Sequence, residues 1–192
     1  MDFVSFGSHK IHGPKGMGFL YVKNKKNIHP FIFGGGQQLG FRSGTENIHG
    51  IVGMRKALEI AYENLETDGK YIQELKNYAI EKLQMAFPNL RFNGNCLEKS
   101  TLSKLINISL PFKNDLLGFQ LDLKGICVSQ GSACSSGATK MSHVLEELYS
   151  KNKNREFTPL RISFSKYNTK QEIDFLVDSL LEISKVELMD KN

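Results

Sequence analysis

Short apolar runs alternate with amphipathic stretches along the chain from residue 66 onward, and few architectures accommodate this order. Residues 105–110 and 160–164 have the length and the apolar content of strands. The stretches around them repeat apolar residues every three or four positions, which is the spacing of one helix face. Strands and helices in this order bury their apolar sides against each other. We therefore predict an α/β fold in which helices pack on a small sheet.

The same patterns predict the individual elements. Strands are predicted at residues 3–6, 18–22, 90–92, 105–110, 125–128 and 160–164. Helices are predicted at residues 48–67, 70–87, 116–124 and 142–149. Asp68 and Gly69 form a weak break between the first two helices, and Ser142 is a predicted N-cap. Thr169 and Glu172 make a capping box, which predicts the start of a last helix.

The N-terminal third of the chain differs from the rest. A short strand at residues 3–6 is followed at once by a glycine-rich loop, and no partner strand is evident. A run of three glycines, residues 34–36, then opens an irregular stretch that ends near Asn47. We expect the first strand to belong to a sheet whose other strands are absent, and we place a domain boundary near residue 66.

Composition excludes several classes of protein. With 40% hydrophobic and 23% charged residues among 192, the chain resembles neither disordered nor collagen-like proteins. The net charge of +5 is scattered, without the basic stripe interleaved with aromatics that a nucleic-acid surface needs. No apolar run approaches membrane-spanning length and no signal peptide is evident, so a cytoplasmic location is expected. Three cysteines without a CxxC pair predict neither a disulfide framework nor a zinc site.

A polar cluster follows the first strand, in the kind of loop that often carries functional groups. It contains Ser8, His9 and Lys10, and it ends in a turn at residues 13–16. A lysine at a strand end among small residues could be desolvated, with a lowered pKa, and serve as a Schiff-base amine. The other interpretation is a surface lysine in a turn, and the residues alone leave both open.

Two further groups of residues could bind an anion. In the loop of residues 34–45, the glycines leave backbone N–H groups available as hydrogen-bond donors. Arg42 adds a guanidinium, and Ser43 and Thr45 add hydroxyls. Together these groups suit a phosphate or a carboxylate. A plain flexible loop would have the same composition. Arg161, on the last predicted strand, could be a surface partner for a glutamate or a bidentate clamp for a carboxylate.

The three cysteines lie in different surroundings. Cys134 lies among serines and glycines at residues 129–137, so it is a candidate for an accessible nucleophile, whose reactivity requires the thiolate. Cys127, inside an apolar predicted strand, fits the buried cysteine that acts as a small hydrophobic residue. Cys96 follows a predicted turn, where it could be exposed without being activated.

Five segments of the chain, taken together, point to one family. They are His9-Lys10 with Gly13-Pro14-Lys15-Gly16, Gly34-Gly35-Gly36-Gln37, Arg42-Ser43-Gly44-Thr45, Gly131-Ser132-Ala133-Cys134-Ser135 and Arg161-Ile162-Ser163-Phe164. In this order they resemble the C-terminal half of cysteine desulfurases of the NifS/IscS group. These are fold type I pyridoxal 5'-phosphate (PLP) enzymes of the class V aminotransferase family. The resemblance runs from about residue 2 to the last helix, and the Gly-Ser-Ala-Cys loop is similar to that of the long-loop group.

The resemblance implies roles in cofactor binding. Lys10 would hold PLP as a Schiff base, and His9 would contact the phosphate of the cofactor. Gly7 stands where the family often has a phosphate-binding serine, and Ser8, one place later, is the candidate for that contact. Thr45 would reach the phosphate of the neighbouring subunit's cofactor in a homodimer.

The resemblance also implies roles in sulfur chemistry. Arg161 would clamp the α-carboxylate of the substrate, L-cysteine. Cys134 would attack the substrate sulfur, leaving L-alanine and a persulfide on Cys134. That sulfur would pass to an iron–sulfur scaffold or another acceptor protein. In some family members the loop cysteine also helps to hold a transient iron–sulfur cluster. Neither a membrane nor direct contact with nucleic acid is implied.

The resemblance implies that the N-terminal half of the family fold, with most contacts to the cofactor ring, lies outside this sequence. We expect residues 1–65 to be a remnant of the large PLP-binding domain and residues 66–192 to be the small domain that carries the cysteine loop. The isolated chain is expected to be inactive. Two alternatives stay open: an inactive remnant that acts as a binding or dimerisation domain, and a related PLP enzyme such as a selenocysteine lyase.

Overall fold

The computed structural model describes residues 1–25, 28–96, 98, 101–130, 142–149 and 157–189. The chain divides into two compact units, Met1–Leu65 and Glu66–Asn192. Among the described residues, each unit has its own sheet: two strands pair in the first unit and three in the second. The two units are therefore described one at a time.

The first unit begins with an antiparallel hairpin. Strand β1 (Phe3–Gly7) pairs along its length with strand β2 (Gly18–Val22). The rings of Phe6 and Phe19 stack across the pair, with their centroids 4.8 Å apart. The expectation that the first strand lacks a partner is therefore wrong, because the chain turns back and β2 lies beside it. A two-stranded sheet is marginal in water by itself, so its stability depends on what packs on its faces.

An irregular stretch and one long helix complete the first unit. The stretch contains a short 3₁₀ turn, Gln37–Gly40, and it ends where helix α1 (Ile48–Glu63) begins. Asn47 caps this helix, because its Oδ1 accepts a hydrogen bond from Gly50 N at 3.1 Å. The predicted long loop and the predicted start of the first helix are both confirmed.

The break between the first two helices lies earlier than predicted. Asn64 follows α1, and its Nδ2 donates to Ile60 O at 2.9 Å. Helix α2 (Leu65–Ala86) begins at the next residue, so the predicted break at Asp68 and Gly69 lies inside it. An asparagine side chain bonded to a backbone carbonyl competes with continuation of a helix. A glycine inside a helix costs only about 1 kcal/mol, which tertiary packing overcomes.

The second unit contains a three-stranded antiparallel sheet with β4 in the centre. Its strands are β3 (Arg91–Phe92), β4 (Leu105–Leu110) and β5 (Thr158–Ser163). In the β4–β5 pair, Ile108 lies opposite Leu160, and both side chains are buried. The alternation of apolar residues along β5 therefore corresponds to one buried face, as the pattern predicts.

The core of the second unit lies between this sheet and its helices. After α2 come α3 (Leu117–Leu123), α4 (His143–Leu148) and α5 (Lys170–Met189). Most buried side chains of the core come from α2, β4, α3, β5 and α5. They include Leu75, Ala79, Leu83, Ile106, Ile108, Leu110, Leu117, Leu121, Leu160, Ile162, Leu176, Val177 and Leu180. The predicted α/β arrangement of helices packed on a small sheet is confirmed.

One predicted strand is absent. Residues 125–128 form no strand, and the only ladder contact described near them is an isolated bridge between Ser129 and Arg161. Gly125 follows Lys124, the C-cap of α3, and adopts a left-handed φ of 78°, which turns the chain away from the helix. Ile126 and Val128 still pack against the core, but backbone pairing with β5 begins only at Ser129, so apolar composition here indicates burial and not a strand.

The predicted helix starts have different outcomes. The capping box is confirmed: Thr169 N donates to Glu172 Oε2 at 2.8 Å, and Glu172 N donates to Thr169 Oγ1 at 3.3 Å. Ser142 stands at the N-cap of α4, but its side chain makes no capping hydrogen bond. Within the described ranges, no helix combines the length and the apolarity that crossing a membrane requires.

Candidate functional site

A tight turn carries the first candidate residues. This 3₁₀ turn, Ser8–Ile11, follows β1 directly. Two backbone hydrogen bonds hold it: Ser8 N donates to Met17 O at 2.9 Å, and Gly13 N donates to Ser8 O at 3.0 Å. His12 ends the turn in a left-handed conformation with a φ of 63°. The hairpin therefore fixes the backbone from which the candidate side chains extend.

The candidate residues in this turn differ in exposure. His9 and Lys10 are exposed, whereas Ser8 is fully buried. The Oγ of Ser8 has no hydrogen-bond partner in the described part of the chain. A Cβ added to Gly13 would lie 2.0 Å from that oxygen, so the hydroxyl points into the turn. In the first unit, taken by itself, Lys10 is exposed. It is therefore not desolvated there, which was one of the two interpretations of its sequence surroundings.

The glycine loop is held together by its own polar groups. Ser43 is buried, and its Oγ donates to Gly35 O at 2.7 Å. Gly44 N donates to Gln37 Oε1 at 3.2 Å. Thr45, the next residue, is exposed. The loop is therefore a defined structure rather than a plain flexible connection, and Thr45 is accessible on it.

The same loop contains unusual backbone conformations. Gln38 and Leu39 adopt left-handed φ values of 51° and 58°. For residues other than glycine this conformation costs roughly 1–2 kcal/mol, and residues held in it cluster at functional sites. The Gln38 side chain donates to Glu46 Oε1 at 2.7 Å, and Arg42 Nη1 donates to Ser43 O at 2.7 Å. Arg42 thus supports the loop, and it forms no ion pair in the part of the chain that the structure describes.

Arg161 lies in the second unit, on strand β5. Its backbone pairs with β4 on one side and with Ser129 on the other. Arg161 N donates to Ser129 O at 2.8 Å, and Ser129 N donates to Arg161 O at 3.1 Å. The side chain is half-buried, and no ion pair with an acid is found for it among the described residues. The glutamate partner that the sequence left open is not among those residues.

Gln130 is a residue that the sequence analysis did not single out. Its Nε2 donates to Asn114 O at 2.7 Å, and its Oε1 accepts from Gly118 N at 2.8 Å. It directly precedes residues 131–141, which lie outside the described residues and contain Cys134. Gln130 has the one long polar side chain among the serines and glycines of residues 129–137, and that contrast is the signal that could have identified it.

The surroundings of the other two cysteines are the reverse of the prediction. Cys127 is exposed, because residues 125–128 are not part of the sheet, and it lines an open cavity of about 280 Å³ beside α5. Cys96 is only 8% exposed, because its segment packs on α2. Lys76 anchors that segment: its buried Nζ donates to Thr101 Oγ1 and to Leu102 O, each at 3.0 Å.

We expect iodoacetamide to alkylate Cys127 several-fold faster than Cys96 in the folded chain at pH 7.5. Access favours Cys127, and burial raises the pKa of the Cys96 thiol, which lowers its thiolate fraction at neutral pH. The rate difference should narrow as the pH rises through the pKa of Cys96. Peptide mass spectrometry measures both rates, and the same measurement in urea is the control, where the two rates should converge. Faster alkylation of Cys96 in the folded chain would contradict the structure.

The described residues contain no group of three or more histidine, cysteine, aspartate or glutamate side chains that could hold a metal ion.

The candidate residues fall into two sets, one in each unit of the chain. His9, Lys10 and Thr45 are exposed on the first unit, and Arg161 adjoins the chain that leads to Cys134 in the second. An amine, an imidazole and a guanidinium are groups that bind or react with carbonyl compounds and anions.

The chain is similar to known proteins over nearly its whole length. The family model for class-V aminotransferases matches residues 1–176. A cysteine desulfurase IscS of Clostridium botulinum is 36% identical over 186 residues, which cover 96% of this chain and 47% of that protein. A putative cysteine desulfurase IscS 1 of Bacillus subtilis is 32% identical over 186 residues and is covered to 48%. The chain spans about half the length of the curated relatives it matches.

Solved structures agree with these matches. A NifS-like protein superposes with a TM-score of 0.78 at 32% identity, over 97% of this chain and 47% of that one. A NifS-like protein from Rickettsia africae gives a TM-score of 0.81 at 30% identity, over 96% of this chain and 48% of that one. The resemblance to NifS/IscS proteins is thus confirmed in fold as well as in sequence. Since the family model covers most of its residues, the chain belongs to the class-V aminotransferase family.

Proposed function

We propose that this chain is the C-terminal half of a PLP-dependent cysteine desulfurase, which converts L-cysteine to L-alanine and leaves the sulfur on Cys134. The relatives named as cysteine desulfurases support the reaction class. The observation that carries the proposal is the position of Lys10, exposed in a 3₁₀ turn at the end of a strand and within residues 1–176, which the family model matches. A lysine amine with this access can form a covalent bond with a carbonyl cofactor.

The residues of the first unit fit PLP in part. Lys10 supplies an accessible amine, and the exposed imidazole of His9 can contact a phosphate. Thr45 supplies an exposed hydroxyl, which we propose reaches the cofactor of a neighbouring subunit in a homodimer. Ser8 would need a rotation of its buried hydroxyl out of the turn, although that oxygen has no partner to hold it among the described residues. When bound, PLP supplies an electron sink for carbanion chemistry at the substrate.

The residues of this chain then have separate tasks. Arg161 binds the α-carboxylate of L-cysteine through its guanidinium, which orients the substrate. Lys10, once its amine is free, moves the proton from the substrate α-carbon as a general base. The Cys134 thiolate attacks the substrate sulfur: the S–S bond forms, the C–S bond breaks, and the electron pair of that bond stays with the alanine fragment, which takes up a proton.

The surface of the first unit supports the proposal that further polypeptide covers it. Phe31, Phe33 and Leu39 are 93%, 80% and 78% exposed. Large apolar side chains this exposed, and close together in sequence, are typical of surfaces that contact another domain or chain. We infer that the other half of the family fold packs here and supplies most cofactor contacts, so the isolated chain holds little PLP. The proposal also includes a sulfur-acceptor protein as partner, a transient iron–sulfur cluster at Cys134 and a cytoplasmic location.

Persulfide formation tests the proposed function directly. A chain completed with the N-terminal half of the family fold and loaded with PLP should, on addition of L-cysteine, gain one sulfur atom on the peptide that contains Cys134. Cys134→Ser should abolish this gain, because a hydroxyl does not accept the sulfur. Cys127→Ser is the matched control and should leave it intact. Sulfur transfer that persists in Cys134→Ser, with the persulfide on Cys96 or Cys127, would refute Cys134 as the acceptor.

A further inference from the structure

Helix α1 contains a glycine at a position where helix propensity disfavours one. Gly53 lies in the second turn of α1, and glycine in a helix interior is less favourable than alanine. A Cβ added to Gly53 would lie 2.6 Å from Pro14 Cγ and 3.3 Å from Pro14 Cδ. Gly69 of α2 is different, because no heavy atom from another part of the described chain lies within 4 Å of a Cβ built there. The absent side chain of Gly53 therefore makes room for the ring of Pro14.

Pro14 belongs to the turn that follows Lys10, and its ring cannot move independently of the backbone. A proline ring is closed onto the main chain and fixes its φ angle, so the ring atoms follow the main chain. The neighbouring Gly13 N donates to Ser8 O at 3.0 Å, which joins this turn to the 3₁₀ turn Ser8–Ile11. Ser8 is fully buried at that junction. A displacement of the Pro14 ring therefore displaces the backbone that carries Lys10.

A second contact joins the other end of the same turn to α1. Asn47, the N-cap of α1, donates from Nδ2 to Met17 Sδ at 3.2 Å, and Met17 O accepts a hydrogen bond from Ser8 N at 2.9 Å. A Cβ added to Gly50 would lie 2.6 Å from Met17 Sδ. A methionine side chain is flexible and can adjust to such a change, whereas a proline ring cannot. The turn thus contacts α1 at two points, and the contact through proline is the rigid one.

We propose that Gly53 is a positioning residue for Lys10. It receives the Pro14 ring against α1, and this contact sets how far the turn that carries Lys10 stands from the helix. The catalytic part of this inference rests on the proposed function, in which the Lys10 amine holds the cofactor and moves the substrate proton. In Gly53→Ala the new methyl group displaces the proline ring by about 1 Å, because carbon atoms in contact prefer a separation of about 3.5–4.0 Å. A displacement of about 1 Å in a reacting group can slow a reaction about a hundredfold.

Amide hydrogen exchange, measured by NMR in the chain as it is, tests the contact. The amides of Ser8 and Gly13 are the reporters, because their hydrogen bonds hold the turn. Gly53→Ala should speed their exchange by about threefold or more, although alanine is the better helix former. Adding Pro14→Ala to this variant should bring the exchange rates to within about twofold of those in Pro14→Ala alone, since the Cγ and Cδ atoms that the new Cβ meets are then gone. Gly69→Ala is the matched control and should leave both amides unchanged.

Circular dichroism verifies that each variant is folded. Equal exchange in Gly53→Ala and in the unchanged chain, or no recovery in the double variant, would overturn the proposal. The proposal would also fail if the amides of Ser8 and Gly13 exchanged without protection in the unchanged chain, because the turn would then not be held.

Kinetics test the catalytic consequence in the completed, PLP-loaded enzyme. Gly53→Ala should lower kcat for alanine formation by between about tenfold and a hundredfold. The KM for L-cysteine should stay within about twofold, because the proposed carboxylate contact is made by Arg161 in the second unit. The double variant with Pro14→Ala should recover kcat to within about threefold of Pro14→Ala alone, which a general loss of stability would not explain.

The two experiments separate this inference from the proposed function. Faster exchange in Gly53→Ala together with an unchanged kcat would overturn the positioning role. Faster exchange in a chain whose completed form lacks desulfurase activity would support the contact between Pro14 and Gly53 and refute the proposed function.

Discussion

Lys10→Ala is expected to abolish covalent attachment of PLP and all desulfurase activity in the completed enzyme. The lysine amine is the group that the cofactor carbonyl requires, and alanine offers no substitute. Proton transfer at the substrate α-carbon also disappears, because the same amine is the proposed base. Two independent steps thus depend on one side chain, which is why the expected effect is complete loss. Borohydride reduction followed by peptide mapping measures it: the label should be on the peptide that contains Lys10 in the unchanged chain and absent in the variant.

Lys15→Ala is the matched control for this experiment. Lys15 is exposed and lies in the turn that follows the same 3₁₀ turn, so it reports non-specific reaction of PLP with surface lysines. That variant should keep both the label and the activity. Label that moves to the Lys15 peptide, or that survives in Lys10→Ala, would show that another amine holds the cofactor.

Leu180→Ala is expected to lower the free energy of unfolding of the second unit by about 3 kcal/mol. Leu180 lies on α5 and is fully buried in the core between the sheet and the helices. Removing the isopropyl end of its side chain loses transfer free energy and leaves a cavity, which the close-packed surroundings fill only partly. Urea denaturation followed by circular dichroism measures the change.

Val186→Ala provides the comparison on the same helix. Val186 is 57% exposed, so its truncation removes little buried surface and should change the free energy of unfolding by less than about 0.5 kcal/mol. Equal destabilisation by the two variants would mean that α5 does not pack on the sheet through the face that carries Leu180. Leu180 belongs to the core of the second unit and Lys10 lies in the first, so the two experiments concern different parts of the chain.

Local patterns were sufficient for most elements of the second unit. The apolar run at residues 105–110 coincides with β4, and the capping box at Thr169 and Glu172 begins α5 with both of its hydrogen bonds made. These features are determined by neighbouring residues, through side-chain periodicity and short-range hydrogen bonds. The match to the class-V aminotransferase family likewise needs only the sequence, and it extends over residues 1–176.

Other features depended on contacts between residues far apart in the sequence. The first strand has a partner because β2 returns beside it, whereas residues 125–128 form no ladder with β5, and the described contact next to them is the bridge between Ser129 and Arg161. An apolar run shows that a segment prefers burial, but it does not show whether a neighbouring strand is within reach. This is why Cys127 is exposed although its sequence neighbours are apolar.

The sequence by itself determined the types of residues available for chemistry: an amine at Lys10, a guanidinium at Arg161 and a thiol at Cys134. It also determined the family, because the family model matches the order of residues over positions 1–176. Only the tertiary structure decided which groups support one another. The burial of Cys96 follows from packing on α2, and the hydrogen bonds of Gln130 join residues that are 12 and 16 positions apart. Hydrogen bonds and burial of this kind arise only when the chain has folded, because their partners are brought together by the sheet and its helices rather than by the order of residues.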